Sequence, residues 1–131
     1  MPDLPITLCA AAAAAIINIW LAMRCGQARI KGKIALGDGG DTWLIKRMRA
    51  HANYAEFTPF ALVLILALEL AGQGGMLLAA SAAVYFLARI CHMFGMEADT
   101  PGKLRMIGIM GTMLLLLAWS ITAVLVASGM I

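Results

Sequence analysis

Four long apolar runs constrain this chain more than any other feature. A helix needs about 20 predominantly apolar residues to cross the core of a bilayer. Runs with few or no charges occupy residues 4–23, 57–71, 76–94 and 106–131. The chain is 63% hydrophobic and only 13% charged, whereas a soluble domain has about a quarter charged residues. We therefore predict one all-α membrane domain.

The predicted domain covers residues 1–131 as a four-helix bundle. Its approximate spans are 4–23, 50–71, 75–94 and 106–129. A cleaved signal peptide is the competing interpretation of the first run, but such a peptide has a basic start. Because the first run follows an acidic start with Asp3, we expect it to be a retained span.

The basic residues predict the orientation in the membrane. All ten lysines and arginines fall between the first and second runs or around the connection between the third and fourth. The positive-inside rule assigns this side to the cytoplasm. We expect loops 24–49 and 95–105 to be cytoplasmic and both termini to face the opposite compartment.

The cysteines do not indicate a disulfide or a metal site. Cys9, Cys25 and Cys91 are an odd number without metal-ligand spacing, which argues against both. Cys91 and His92 are adjacent, and neighbouring helix residues point in different directions, which disfavours a Cys-His nucleophile pair. We expect no metal and no nucleic-acid partner.

Polar residues cluster where the second span begins. Arg49, Asn53 and Glu56 are spaced i, i+4, i+7, which places them on one helix face. Asp41 or Thr42 can cap this helix. Ionisable residues in membrane spans usually face protein or a water-filled cavity. A structural hydrogen-bond knot and a ligand site are both compatible with this pattern.

The third span has a similar polar face at its cytoplasmic end. Arg89 and His92 are three residues apart, and Arg105 begins the fourth helix. A cation near a helix N-terminus is unfavourable for the macrodipole. Arg105 is therefore either an anchor that reaches the headgroups or a group that contacts a bound anion. Glu69, near the far end of the second span, is interpreted as facing an interface.

One pocket can be surrounded by the side chains of Arg29, Arg49, Arg89, His92 and Arg105. Arginine donates two hydrogen bonds at once to a carboxylate, and nearby positive charge lowers the pKa of a thiol. Positive-inside topology alone also produces scattered arginines. It is sufficient to explain a second basic group: Lys31, Lys33, Lys46, Arg47 and Lys103.

The pattern Arg49-x-x-x-Asn53-x-x-Glu56, followed by Pro59-Phe60, resembles the signature of the MAPEG family, the membrane-associated proteins of eicosanoid and glutathione metabolism. The segment 26–29, Gly-Gln-Ala-Arg, also resembles the family pattern, and the glycine-rich loop 37–41 is similar to the loop of its bacterial branch. Arg89-x-x-His92 and Arg105 extend the resemblance over nearly the whole chain.

The resemblance implies a homotrimer in the bacterial inner membrane, with periplasmic termini, that binds glutathione between subunits. Arg105 matches the arginine that stabilises the thiolate, and Arg29 matches one that reaches the glutathione carboxylate from the adjacent subunit. A lipophilic electrophile would arrive through the bilayer and be conjugated or reduced. The remaining positions implied to contact glutathione are Arg49, Asn53, Glu56, Arg89 and His92.

Three positions depart from the family pattern. Met96 stands where active members often have tyrosine, Met106 where eicosanoid-synthesising members often have serine, and Ala52 where an arginine is common. These departures disfavour a prostaglandin or leukotriene synthase.

Three function hypotheses follow. The first is a glutathione transferase or peroxidase, and the second is a non-catalytic membrane binding or scaffold protein of this fold. The third is a dimeric four-span transporter, which usually needs an acidic residue in the first span, where this chain offers only Asn18.

Overall fold

The computed structural model describes residues 3–100 and 102–131. This part of the chain contains four α-helices: α1 (Pro5–Gly32), α2 (Thr42–Leu68), α3 (Met76–Glu97) and α4 (Lys103–Ala127). Each is long and apolar enough to cross a membrane, which confirms the predicted all-α membrane fold. The exact span limits stay a prediction.

The connection between α1 and α2 follows from its sequence. Pro5 lies in the first turn of α1, where its missing N–H is not needed. The helix ends when Lys33 adopts a left-handed conformation with φ of 54°. Asp41 then caps α2, its Oδ1 accepting a hydrogen bond of 2.8 Å from the backbone N–H of Leu44. Asp41 is one of the two predicted caps.

At the opposite end, the chain reverses after a short π-helical segment, Glu69–Gln73. Within it Gly72 has φ of 81°, a conformation that glycine adopts without a steric penalty. The Glu69 carboxylate accepts hydrogen bonds from the backbone N–H groups of Ile6 at 2.9 Å and Thr7 at 2.7 Å. Glu69 thus caps α1 of its own chain, where a negative charge is favourable.

Helix α4 packs mainly on α3 and also on α2, whereas α1 packs mainly on α2. The main buried cluster includes Ile65, Tyr85, Phe86 and Trp119. Large apolar side chains are also exposed on the outer faces of the helices, and lipid covers such surfaces in a membrane protein. Examples are Ile16, Phe60, Leu87, Leu114 and Val124.

Two glycines set the close approach of α3 and α4. A Cβ on Gly95 would overlap the backbone of Arg105, and a Cβ on Gly108 would lie 2.5 Å from the backbone nitrogen of His92. Small residues allow membrane helices to pack backbone to backbone. These contacts fix the start of α4 against the end of α3.

Candidate functional site

The candidate site lies at the end of the bundle that carries the connections 33–41 and 98–102. We call it the basic end, because all ten lysines and arginines lie in its loops or in the adjoining helix ends. The predicted site residues divide there into a buried set and an exposed set. Asn53, Arg89 and His92 turn into the bundle, whereas Arg49, Glu56 and Arg105 are exposed on the surface of the single chain.

Arg89 joins three helices inside the bundle. The residue is 2% exposed, and its Nη2 donates a 2.6 Å hydrogen bond to Oδ1 of Asn53 on α2. Its Nη1 donates to Oγ1 of Thr112 on α4 at 3.3 Å, and the guanidinium carbon lies 5.4 Å from the centre of the Phe57 ring. Asn53 and Arg89, predicted on different helices, are thus brought together.

His92 lies one turn further along α3 and is 4% exposed. Its Nδ1 is 3.0 Å from the backbone carbonyl oxygen of Arg105. A carbonyl only accepts hydrogen bonds, so Nδ1 carries the proton in this contact. Nε2 of His92 and Nε of Arg89 are buried and have no hydrogen-bond partner within the described residues. Buried polar atoms are normally paired, so these two suit polar groups of a ligand or water.

The exposed set has a different character. No hydrogen bond joins the side chains of Arg49, Glu56 and Arg105 to one another within residues 3–100 and 102–131. Arg29, which is half-buried, donates to the carbonyl oxygen of Gly37 at 2.7 Å and contacts Sδ of Met48 at 3.6 Å. The structure therefore does not gather all predicted site residues into one pocket of a single chain.

Arg105 and Arg29 lie beside two different surface grooves at the basic end. The groove beside Arg105 has a volume of about 530 Å³ and is lined mainly by the first two turns of α4. The groove beside Arg29 has a volume of about 300 Å³ and lies between α1 and α2, with His51 and Ala52 in its wall. Ala52, where the family commonly has arginine, thus lines open space.

Met96 does not line either of these grooves. It packs against a buried cluster formed by Leu21, Ala50, Tyr54 and Met93. The position that often carries a tyrosine hydroxyl in active members therefore has an apolar side chain in an apolar environment.

The sequence pattern missed an ion cluster in the same region. Glu97, the last residue of α3, accepts hydrogen bonds from both Nε and Nη2 of Arg24 on α1. Nε of Arg47 on α2 lies 3.6 Å from Oε2 of Glu97. Topology alone is therefore an incomplete explanation of Arg47. The signal in the sequence was a carboxylate at the same side of the membrane as the lysines and arginines, and it did not identify the partners.

A second ion pair is exposed. Nζ of Lys46 donates a 2.9 Å hydrogen bond to Oδ1 of Asp99 in the connection between α3 and α4. This hydrogen bond and the charge of Lys46 lower the pKa of the Asp99 carboxyl. Within the described residues, no group of three or more His, Cys, Asp or Glu side chains is placed to hold a metal ion.

Four membrane-length helices with arginines concentrated at one end define an integral membrane protein. The model of the MAPEG family matches residues 7–125, and the chain belongs to this family.

Two relatives support the assignment. The chain is 33% identical over 67 residues to inner membrane protein YecN of Escherichia coli (strain K12). The same identity and length apply to YecN of Escherichia coli O6:H1 (strain CFT073). Each alignment covers 51% of this chain and 51% of the relative, so the match spans about half the length of these curated relatives.

Proposed function

We propose that this protein is a membrane-bound glutathione-dependent transferase or peroxidase that acts on lipophilic electrophiles. Membership of the MAPEG family supports the general class. The observation that carries the proposal is the placement of Arg105, whose side chain is exposed while its backbone is held by His92 and Gly95. A guanidinium that extends from a held backbone and is open to a ligand is suited to stabilise a thiolate.

We further propose that glutathione binds between the subunits of a homotrimer. Arg105 and Arg29 lie beside separate grooves of one chain, so a neighbouring subunit is needed to bring two such arginines to one ligand. In this arrangement Arg49, Glu56 and Arg105 line the site on the surface of one subunit, and Arg29 reaches in from the next. Asn53, Arg89 and His92 support the site from within the bundle.

The chemistry begins with the thiol of glutathione. The Arg105 guanidinium favours the charged form and lowers the thiol pKa, so the proton leaves to water and the thiolate remains. On a carbon electrophile the sulfur forms a C–S bond as the leaving group departs with its electron pair. With a lipid hydroperoxide, two glutathione molecules are oxidised to the disulfide, and the O–O bond is reduced to an alcohol and water.

The membrane supplies the second substrate. We propose that the basic end faces the cytoplasm, where glutathione enters, and that the termini face the periplasm, as the positive-inside rule indicates. The lipophilic electrophile reaches the same cleft laterally from the bilayer. YecN is an inner membrane protein, and we propose the same location for this chain.

Equilibrium dialysis of the detergent-purified protein with labelled glutathione tests the proposal. We expect saturable binding of glutathione at concentrations below millimolar. The proposal fails if no binding is detected at millimolar glutathione. Arg105→Ala should weaken binding by about tenfold, because a hydrogen bond to a charged group is worth ~1.5 kcal/mol or more. Lys103→Ala is the matched control, since it removes an exposed cation two residues away and should leave binding within about twofold of wild type.

A second candidate function is a non-catalytic binding or scaffold protein of the same fold. The packing of Met96 against a buried cluster favours it, since the Met96 side chain supplies no hydroxyl. Incubation with a reactive aryl halide or a lipid hydroperoxide separates the two candidates. Glutathione binding without turnover of either substrate favours the scaffold, whereas formation of conjugate or disulfide favours the enzyme.

A further inference from the structure

The ion cluster of Arg24, Arg47 and Glu97, here called the Glu97 cluster, connects three helices at the basic end. Oε1 of Glu97 accepts a 2.9 Å hydrogen bond from Nε of Arg24, and Oε2 accepts one from Nη2 of the same guanidinium. Arg47 donates through Nη1 to the backbone carbonyl oxygen of Arg24 at 2.6 Å. Arg24 therefore binds the Glu97 carboxylate in a bidentate geometry, which orients both side chains.

The cluster is buried, which distinguishes it from membrane anchors. The side chains of Arg24, Arg47 and Glu97 are only 20%, 9% and 12% exposed. The guanidinium carbon of Arg47 lies 3.8 Å from the centre of the Trp43 ring, and that of Arg24 lies 5.2 Å from the Trp20 ring. An arginine that reaches the headgroups keeps its charged end in water. These two arginines instead bind Glu97 and stack on aromatic rings.

Glu97 is also close to the residues that support Arg105. It ends α3, two residues after Gly95, and the backbone of Arg105 packs directly on Gly95. One turn earlier, His92 donates a hydrogen bond to the carbonyl oxygen of Arg105. The last two turns of α3 are therefore the surface on which the first turn of α4 rests.

We propose that Glu97 is a positioning residue for Arg105. Arg24 and Arg47 hold Glu97, Glu97 holds the end of α3, and the end of α3 holds the backbone from which the Arg105 guanidinium extends. No member of the Glu97 cluster is hydrogen-bonded to the Arg105 side chain in the described part of the chain, so the effect passes through the backbone. The inference rests on the proposed role of Arg105 in stabilising the thiolate.

Asp99 provides a matched control in the same connection. Its carboxylate also pairs with a basic residue of α2, Lys46, at 2.9 Å, but its side chain is fully exposed. Glu97→Gln and Asp99→Asn each remove one negative charge with little change of shape. Only Glu97→Gln removes a buried contact with α1 and α2.

The experiment compares the full-length wild type, Glu97→Gln and Asp99→Asn in lipid nanodiscs with two readouts. Backbone hydrogen exchange at residues 106–110, whose N–H groups donate to the carbonyl oxygens four residues earlier, reports how firmly the first turn of α4 is held. Ultraviolet titration of bound glutathione reports the pH at which its thiol becomes a thiolate. We expect at least about tenfold faster exchange in Glu97→Gln and a thiolate midpoint raised by on the order of one pH unit, with Asp99→Asn close to wild type.

Equal hydrogen-exchange rates in Glu97→Gln and Asp99→Asn overturn the proposal. It is also overturned if Glu97→Gln binds glutathione and exchanges faster than wild type while its thiolate midpoint does not change. If the wild type binds no glutathione, the proposed function fails, and exchange alone then decides whether Glu97 positions the first turn of α4. If Glu97→Gln does not fold, Arg24→Lys takes its place. This variant keeps the positive charge but loses the bidentate contact with Glu97. Like Glu97→Gln, it should speed the exchange and raise the thiolate midpoint.

Discussion

Arg89 and Arg105 are both arginines at the basic end of the bundle, but their surroundings are opposite. Arg89 is 2% exposed, and its guanidinium bonds to Asn53 and Thr112 on two other helices. Arg105 is exposed, and its contacts with Gly95 and His92 are made by its backbone. The buried region uses its charge mostly within the chain, whereas the exposed region leaves its charge available to a ligand or a neighbouring subunit.

A motif of polar residues in a membrane protein therefore need not have one role. The buried residues determine how α2, α3 and α4 pack, and the exposed residues are set on that framework. A change in the buried region should therefore appear first as lost stability. A change in the exposed region should appear as lost ligand binding with the fold retained.

The largest effect on stability should come from the contact that joins the buried region to the exposed region. Gly95→Ala places a Cβ against the backbone of Arg105, and backbone atoms cannot rotate away as a side chain can. We expect a loss of about 3 kcal/mol in the free energy of unfolding, measured by denaturant titration in detergent. Gly26→Ala, where a Cβ meets nothing within 4 Å, is the control. Equal stability of the two variants would show that α3 and α4 do not touch there.

The next effect concerns the buried region. Asn53→Leu leaves the Arg89 guanidinium without the acceptor 2.6 Å away, and we expect a loss of about 2 kcal/mol of stability because that hydrogen bond involves a charged donor. Arg49→Leu, one turn earlier on the same helix and exposed, should change stability by no more than about 0.5 kcal/mol. Thermal unfolding of both variants checks the comparison, and the reverse order would contradict the division into regions.

The sequence predicted the helices better than the side-chain contacts between them. Four apolar runs identify four helices, and Asp41 is recognisable as a cap, because these signals are local. The sequence also identified Arg89 and His92 as sharing a face. It missed the contacts of Glu97 with Arg24 and Arg47, because such pairings depend on how neighbouring helices are rotated and shifted.

The far end of the bundle illustrates the same limit. Glu69 was interpreted only as facing an interface, and the sequence did not show that it caps α1 of its own chain. Its hydrogen bonds reach more than 60 residues back along the sequence, and no periodic pattern in the sequence links these positions. Local signals thus predict helices, and only the packed bundle shows which polar groups meet.

The smallest effect should come from the exposed ion pair. The pKa of Asp99 is lowered by Lys46, so the pair contributes stability above the ordinary carboxyl pKa of about 3.9. That contribution is lost as the pH falls through the lower pKa of the folded state. Asp99→Asn should lower Tm by about 1 °C or less at neutral pH, and the difference from wild type should vanish in acid. A difference that grows in acid would contradict the assigned pair.

The most direct test of the account is the pH at which bound glutathione becomes a thiolate, measured by ultraviolet absorbance on wild type, Arg105→Ala and Lys103→Ala. With the exposed Arg105 guanidinium acting on the ligand, the wild-type midpoint should lie below that of free glutathione. Lys103→Ala should share that midpoint, and Arg105→Ala should return it toward the free value while the protein stays folded. An Arg105→Ala midpoint equal to that of wild type would contradict the account.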